Sequence, residues 1–243
     1  MATNKFVAIY EELKNRVIQG TYAENGLLPT EAILVEEFSC SRNTVRRAIL
    51  KLNEEGFVYS VKGRGVVILE TTRIDETYFK FHNFHGLKAL NSVREIHKKT
   101  KVLQFEEVVI SDDIAKATSF QVGEKAYLVI RQRLLDDRAV MVDTSYFKQA
   151  LIPGLNKQIA QDSIYHYIEH ELHISIAATK TILRIEKATM QDYERLDLQD
   201  YNCVGVFENM AYTDMGKLFE HTESRYLPEN FAIESFKQRR KDE

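Results

Sequence analysis

Residues 39–53 combine an apolar stripe and a basic stripe on what the spacing predicts to be one helix. The apolar stripe recurs at i, i+3, i+4 and i+7, which places its members on one helical face: Val45, Ala48, Ile49 and Leu52. The opposite face carries Arg42, Asn43, Arg46, Arg47 and Lys51. Such a helix can pack on one side and meet an anionic partner on the other. The alternative is a solvated surface helix rich in arginine, and the helix alone leaves both open.

Arg131 and Arg133 form a second candidate site, because alternate residues of a predicted strand point to the same face. Two guanidinium groups among apolar neighbours are costly unless they meet an anion, and phosphate accepts paired hydrogen bonds from arginine. Further along the chain, several side chains could bond to sugar hydroxyls: Asp143, Glu220, Glu223, Arg225 and Tyr226. The alternative is a solvated sheet face on which the arginines pair with Asp136 or Asp143.

A third pattern is HxxEH at residues 166–170, which is also the spacing of a class of zinc proteases. His166 and His170 lie one helical turn apart, but the sequence offers no third ligand. The apolar residues Ile164, Ile168 and Leu172 already account for this helix by packing. We therefore expect no metal, no cofactor and no catalytic residues, and no GxGxxG phosphate loop is present.

The elements around the basic helix predict a helix-turn-helix. Residues 6–17 have a helical apolar stripe, and Thr30 and Ser41 are suitable N-caps for two further short helices. Ile33, Leu34 and Phe38 are expected on the buried side of the first of these. The turn at residues 39–40 then leads into the basic helix, which in this arrangement enters the DNA major groove.

Two short strands, residues 57–61 and 66–69, follow the basic helix. The turn between them contains Lys62, Gly63 and Arg64, and glycine lets a backbone approach a phosphate or groove wall closely. Alone, this turn reads as a solvated hairpin tip. Next to a basic helix it is better interpreted as the wing of a winged helix-turn-helix.

The first seventy residues resemble the GntR family of bacterial transcription regulators. The resemblance is carried by LPTE at 28–31, SRNTVRRAILKL at 41–52, EGFV at 55–58 and KGRG at 62–65. It implies DNA contacts from Ser41, Arg42, Thr44, Arg46 and Gly63. Some relatives have an arginine directly after the LPTE glutamate; here Ala32 stands there, so any base contact of that arginine is absent.

The remaining chain reads as an α+β domain with a mostly antiparallel sheet. A polar linker is expected at residues 71–78, and the aromatic segment 79–90 is either a hinge or part of a core. Strands are predicted at 102–110, 126–135, 139–147, 174–188, 203–213, 218–226 and 231–236, with helices at 112–120, 161–172 and 192–196.

This half resembles the effector-binding domain of the HutC branch of the GntR family, a fold related to chorismate lyase. The matching segments are 129–137, 142–147, 162–176 and 218–226. The resemblance implies phosphate contacts from Arg131, Arg133 and Ser163, and sugar contacts from Asp143, Glu220 and Tyr226. Within the branch the sequence is similar to repressors of trehalose operons, which implies trehalose 6-phosphate as effector; another sugar phosphate, such as an amino-sugar 6-phosphate, is the alternative. Where the branch often has a serine, this chain reads Phe84-His85-Gly86.

Composition bounds the remaining possibilities. The 243 residues carry a net charge of −3, with 44% hydrophobic and 28% charged residues, as in a globular protein of two domains. Cys40 and Cys203 form no CxxC, and no targeting or membrane segment is evident, so we expect a cytoplasmic protein. We expect domains at 1–70 and 79–243, and a homodimer on a two-fold operator. The predicted function is a ligand-responsive repressor; the alternative is a lyase-like enzyme with an accessory DNA-binding domain.

Overall fold

The computed structural model describes residues 5–70 and 97–232, which fall into two compact units. Several predicted features lie outside the described residues: the linker at 71–78, the aromatic segment 79–90 with His85 and Gly86, and most of the strand predicted at 231–236. Each unit is described by itself below.

The first unit contains three helices and a two-stranded antiparallel sheet: α1 (Lys5–Ile18), α2 (Glu31–Glu37), α3 (Arg42–Glu54), β1 (Val58–Val61) and β2 (Gly65–Ile68). Its core is assembled from the predicted apolar stripes of α1 and α3 together with Leu34 and Val58. Thr30 and Ser41 are the N-caps of α2 and α3, as predicted. The left-handed backbone of Ser39, with φ of 46°, reverses the chain between these two helices.

The segment before α2 is tied to the β1–β2 hairpin. Leu28 donates its backbone N–H to Val66, and Ile68 donates to Gly26, so this segment lies beside β2. Leu27 completes an antiparallel bridge with Val67. The hairpin is therefore anchored to the chain that enters α2, and its tip at Lys62, Gly63 and Arg64 is exposed.

The second unit is one six-stranded antiparallel sheet in the order β3-β4-β5-β8-β7-β6. Its strands are β3 (Lys98–Val109), β4 (Lys125–Leu135), β5 (Arg138–Lys148), β6 (Ile176–Lys187), β7 (Cys203–Thr213) and β8 (Leu218–Tyr226). Its helices are α4 (Asp112–Thr118), α5 (Lys157–Asp162), α6 (Ile164–His166) with a π-helical turn at Tyr167–Glu171, and α7 (Met190–Arg195). The predicted α+β class and antiparallel sheet are confirmed.

The two faces of this sheet have different covers. Ile164 and Ile168, from α6 and its π-helical turn, pack with Val129 and Phe147 on one face, which we call the polar-centred face because polar residues continue it along the strands. Leu196 and Leu198, after α7, pack with Val142 and other residues of the opposite face. The polar-centred face therefore has an apolar, helix-covered end and a polar end.

Three local predictions are wrong. Ile33 is 54% exposed, because α2 is only two turns long and turns Leu34 alone fully inward. The helix predicted at 161–172 is interrupted at Ser163, whose extended backbone ends α5 and caps α6. Phe231 and the residue after it are not in a strand; a 3-10 turn at Pro228–Asn230 precedes them, and the described sheet has β3 and β6 as its edges.

Candidate functional sites

The exposed face of α3 is the first candidate site. Ser41 caps the helix by accepting a hydrogen bond from the backbone N–H of Thr44 at 3.2 Å, and the two hydroxyls lie 2.7 Å apart. Arg42, Asn43 and Arg46 are exposed, while Val45 and its apolar partners are buried. The N-terminal half of α3 thus presents guanidinium and amide donors on a helix fixed from behind, which is the arrangement that reads base edges in a major groove.

The basic side chains of α3 divide into two groups by their contacts. Arg46 donates from Nε to Glu31 on α2, at 2.9 and 3.0 Å to the two carboxylate oxygens. In contrast, the Arg47 guanidinium lies 4.2 Å from the centre of the Phe6 ring, and the Lys51 ammonium lies 4.1 Å from that of Tyr10. Arg47 and Lys51 are therefore turned toward α1, and Arg46 is held in place by a carboxylate while its outer nitrogens stay exposed.

The hairpin tip supplies a second basic element in the same unit. Lys62 and Arg64 are exposed on either side of Gly63, whose φ of 81° lies in the left-handed region that glycine tolerates best. Nothing lies within 4 Å of where a Cβ of Gly63 would stand. The close approach that this glycine permits is therefore toward a partner, because no residue of the chain takes up the space.

The second candidate site lies at the polar end of the polar-centred face. Arg131 lies opposite Asp143 in the β4–β5 register, and Asp143 lies opposite Ser224 on β8. Arg133 donates from Nε to Asp143 Oδ2 at 2.9 Å and from Nη1 to the Thr100 hydroxyl at 2.7 Å. Ser224 donates to Asp143 Oδ1 at 2.7 Å. Both arginines are buried, at 8% exposure each, so the solvated-face alternative is wrong although its partner Asp143 is correct.

Arg131 is poorly satisfied within this cluster. Its Nε is buried and has no hydrogen-bond partner among the described residues, and its nearest ion-pair contact is Nη2 to Asp143 Oδ2 at 3.5 Å. Burial, together with the charge of Arg133, lowers the pKa of Arg131 to about 10. For Asp143, burial acts to raise the pKa, but the two guanidinium charges outweigh it and the pKa is lowered. One carboxylate thus balances two cations, and one of those cations has bonding capacity to spare.

Glu220 borders the arginine pair from β8. It accepts hydrogen bonds from Tyr165 at 2.6 Å and from Thr222 at 2.5 Å, and Thr222 also bonds to Ser145 at 2.8 Å. Burial raises the pKa of Glu220, and these hydrogen bonds offset only part of that effect. A protonated Glu220 leaves the cluster with an excess of positive charge, which favours an anionic ligand.

Ser163 and Tyr226 occupy different positions relative to this cluster. Tyr226 is buried, and its pKa is raised by burial and by the nearby Asp143 charge. Ser163 caps α6 by accepting from the backbone N–H of His166 at 3.3 Å. Its link to the cluster is indirect, through Tyr165 two residues later. The structure therefore brings five of the six predicted effector residues together and places Ser163 beside them on the helix.

Sequence reasoning missed the hydroxyl groups of this site: Thr100, Ser145, Tyr165, Thr222 and Ser224. The alternation along β8 could have found Thr222 and Ser224, because they share a face with Glu220 and Tyr226. Tyr165 gave no such signal, since its contact with Glu220 crosses from a helix to a strand far along the chain.

Glu223 and Arg225 were expected in the same site, and this expectation is wrong. They occupy the alternate positions of β8 and point to the opposite face. There Arg225 bonds to Asp192 at 2.7 Å and to Glu223 at 3.1 Å, and Arg184 bonds to Glu223 at 2.8 Å. Their charges are already paired within the protein and belong to a structural network.

His166 and His170 stack on each other with ring centroids 4.4 Å apart and planes at 3°. Among the described residues, no group of three or more histidine, cysteine, aspartate or glutamate side chains is placed to hold a metal ion. No helix within residues 5–70 and 97–232 is long and apolar enough to cross a membrane.

The comparisons with known proteins agree with both halves of the chain. A model described as bacterial regulatory proteins, gntR family, matches residues 6–68, and a UTRA domain model matches residues 94–232. The HTH-type transcriptional regulator TreR of Bacillus subtilis (strain 168) is 32% identical over 241 residues, which is 99% of this chain and 100% of that protein.

Two solved structures are also similar. The effector-binding domain of the B. subtilis trehalose repressor (TreR) is 35% identical with a TM-score of 0.55, and covers 59% of this chain and 99% of that chain. The possible transcriptional regulator YydK from B. subtilis subsp. subtilis str. 168 has a TM-score of 0.76 over 96% of this chain and 99% of that chain; at 19% identity it shows the fold alone. Together with the winged helix-turn-helix and the antiparallel second unit, these matches confirm the predicted family: the chain belongs to the GntR family, in its HutC-type branch, and is a ligand-responsive DNA-binding transcriptional regulator.

Proposed function

We propose that this regulator is a repressor that leaves its operator when a sugar phosphate binds to the second unit, and that the sugar phosphate is trehalose 6-phosphate. The observation that carries the proposal is the Arg131 guanidinium, which is buried and has an Nε without a hydrogen-bond partner. A phosphate group accepts paired hydrogen bonds from guanidinium groups and would supply the missing negative charge beside Arg131 and Arg133.

The similarity to TreR supports the choice of sugar, since the structure at 35% identity is that of a trehalose repressor's effector-binding domain. In the proposed complex, Arg131, Arg133 and Ser163 contact the phosphate, while Asp143, Glu220 and Tyr226 contact sugar hydroxyls. An amino-sugar 6-phosphate is the alternative effector, and it would use the same phosphate contacts.

The proposed division of labour follows the predicted domains: residues 1–70 bind operator DNA and residues 79–243 bind the effector. On the DNA side, Ser41, Arg42, Asn43, Thr44 and Arg46 act from α3, and Lys62, Gly63 and Arg64 act from the hairpin tip. We propose a cytoplasmic homodimer, because a helix-turn-helix reads a two-fold operator with two-fold symmetry. The second unit acts by binding and not by turnover.

Calorimetric titration of the full chain with trehalose 6-phosphate, free trehalose and glucosamine 6-phosphate tests the effector. The expected result is binding of trehalose 6-phosphate, with free trehalose at least about tenfold weaker because it lacks the charge-assisted bonds. The same ligand should release a labelled operator, and its NMR spectrum should stay unchanged during incubation. Tighter binding of free trehalose would overturn the phosphate assignment, and appearance of a product would establish an enzyme.

A further inference from the structure

The two edges of the six-stranded sheet differ in how they are protected. An exposed edge strand presents unpaired backbone groups that can pair with another chain, and proteins usually block it with lysines, bulges or covering elements. Edge strand β3 has such features: Lys98, Lys99 and Lys101 lie along it, and a register shift interrupts it between Val102 and Gln104.

Edge strand β6 lacks those interruptions over most of its length. Its pairing with β7 is continuous from Ala178 to Lys187, and no strand in the described ranges pairs with its other side. Three apolar side chains in the middle are exposed: Ile182 at 41%, Leu183 at 37% and Ile185 at 64%. β6 is therefore an uninterrupted edge with an apolar centre.

We propose that the β6 strands of two copies of this chain pair antiparallel across a two-fold axis at Leu183, which joins their sheets into one. This proposal rests on the proposed homodimer and names its surface. Opposite residues of an antiparallel pair point to the same face, so the two-fold axis must pass through a residue position. The choice of residue then decides which charges meet.

An axis at Leu183 places Lys180 opposite Glu186 of the second copy, and this pairing occurs twice by symmetry. It also places the two Leu183 side chains together and lets residues 179–187 of both copies pair. Opposite charges and apolar side chains facing each other both stabilise antiparallel pairs. The second copy is therefore a partner whose charge pattern complements this edge.

Neighbouring axis positions are less favourable. An axis at Ile182 would place Lys180 opposite Arg184, and an axis at Arg184 would place two arginines opposite each other; like charges in these positions are destabilising. An axis at Ile185 would shorten the ladder, because Lys187 ends the strand. Leu183 gives both a long ladder and matched charges.

Sedimentation velocity on the full chain tests the surface with the variant Leu183→Lys and the matched control Leu103→Lys. Leu103 is 44% exposed and lies on the other edge strand. Leu183→Lys places two ammonium groups opposite each other and should raise the dimer dissociation constant by about tenfold or more. The control should leave it unchanged. Far-UV circular dichroism and effector titration check that both variants are folded.

Each other outcome decides against the surface in a distinct way. If Leu183→Lys dimerises as tightly as wild type, the homodimer stands and its interface lies elsewhere. A monomeric wild-type chain would overturn both the surface and the homodimer, but would leave the effector assignment to the calorimetric test.

A cross-linking measurement covers the case in which Leu183→Lys does not fold. Leu183→Cys, in a chain with Cys40→Ser and Cys203→Ser, should be joined into covalent dimers by a short bis-maleimide, and Leu103→Cys should not. Failure of Leu183→Cys to cross-link while the chain sediments as a dimer overturns the proposal.

Discussion

Replacing Arg131 by methionine should make the protein more stable and, at the same time, weaken effector binding. Burial lowers the pKa of Arg131 from 12.5 to about 10. At about 1.36 kcal/mol per pKa unit, holding this charge in the folded effector-free protein costs on the order of 3 kcal/mol. Because the folded-state pKa is depressed, the cost is fully present below pH 10, including at neutral pH, and disappears only above the unfolded value.

Methionine keeps much of the apolar reach of arginine and removes the charge. After allowance for imperfect packing, Arg131→Met should raise the free energy of unfolding by about 1–3 kcal/mol at pH 7. The same change removes charge-assisted hydrogen bonds to the phosphate, each worth about 1.5–3 kcal/mol, so the dissociation constant of the effector should rise by about 10- to 150-fold.

Arg133→Met is the matched control, because Arg133 has the partners that Arg131 lacks. Its removal leaves Asp143 without its 2.9 Å ion pair and Thr100 without its donor. Breaking a buried pair in this way should destabilise the protein by about 3–5 kcal/mol. Both substitutions should weaken effector binding, but they should change stability in opposite directions.

Urea unfolding of the full chain, followed by far-UV circular dichroism, measures both stabilities. The transition of the second unit is identified as the one that effector shifts to higher urea, since a ligand stabilises the state that binds it. If Arg131→Met is less stable than wild type by more than about 1 kcal/mol, Arg131 is satisfied in the free protein. The argument for an anion site would then lose its basis.

Three further predictions follow from the two sites. Arg46→Ala should weaken operator binding by about 1–3 kcal/mol and relax specificity at one base pair in fluorescence anisotropy, whereas Arg47→Ala, which removes the contact over Phe6, should keep the specificity; equal specificity profiles for both variants would contradict this. Lys62→Ala should lower the salt slope of operator binding by about one unit and Lys62→Arg should restore it, so an unchanged slope excludes a phosphate contact. The raised pKa of Glu220 means that the folded protein holds this proton more tightly than the unfolded chain, so wild type should lose stability relative to Glu220→Gln as pH rises above about 4.5 in urea titrations; a difference that is constant with pH would show that Glu220 is not perturbed.

The first unit could be predicted almost completely, because its signals are local. Helical spacing fixed the buried faces of α1 and α3, and Thr30 and Ser41 acted as the caps that their side chains suggested. The error at Ile33 arose because hydrophobicity alone does not tell whether a short helix has enough neighbours to cover all its apolar residues. Tertiary contacts decided that only Leu34 is fully buried.

The second unit was predictable in its strands but less so in its site. The bounds of β7 and β8 agree with the sequence, yet Glu223 and Arg225 were grouped with Glu220 and Tyr226 although the strand alternation separates them. The orientation of Arg131 and Arg133 toward Asp143 followed from alternation and register. The break at Ser163 did not, because an extended residue between two helical segments leaves no mark in apolar spacing.

Exposure makes the proposed DNA and effector sites obey different electrostatics. Arg42, Arg46 and Lys62 are exposed, so their attraction to phosphates is screened by salt and falls steeply as counterions compete. Arg131 and Arg133 are buried, where screening is weak and an unmatched charge is costly. Operator binding should therefore weaken strongly with added salt, while effector binding changes little. The effector can release the operator only if it binds more tightly to the state with lower DNA affinity, and by reciprocity the operator must then weaken effector binding by the same factor.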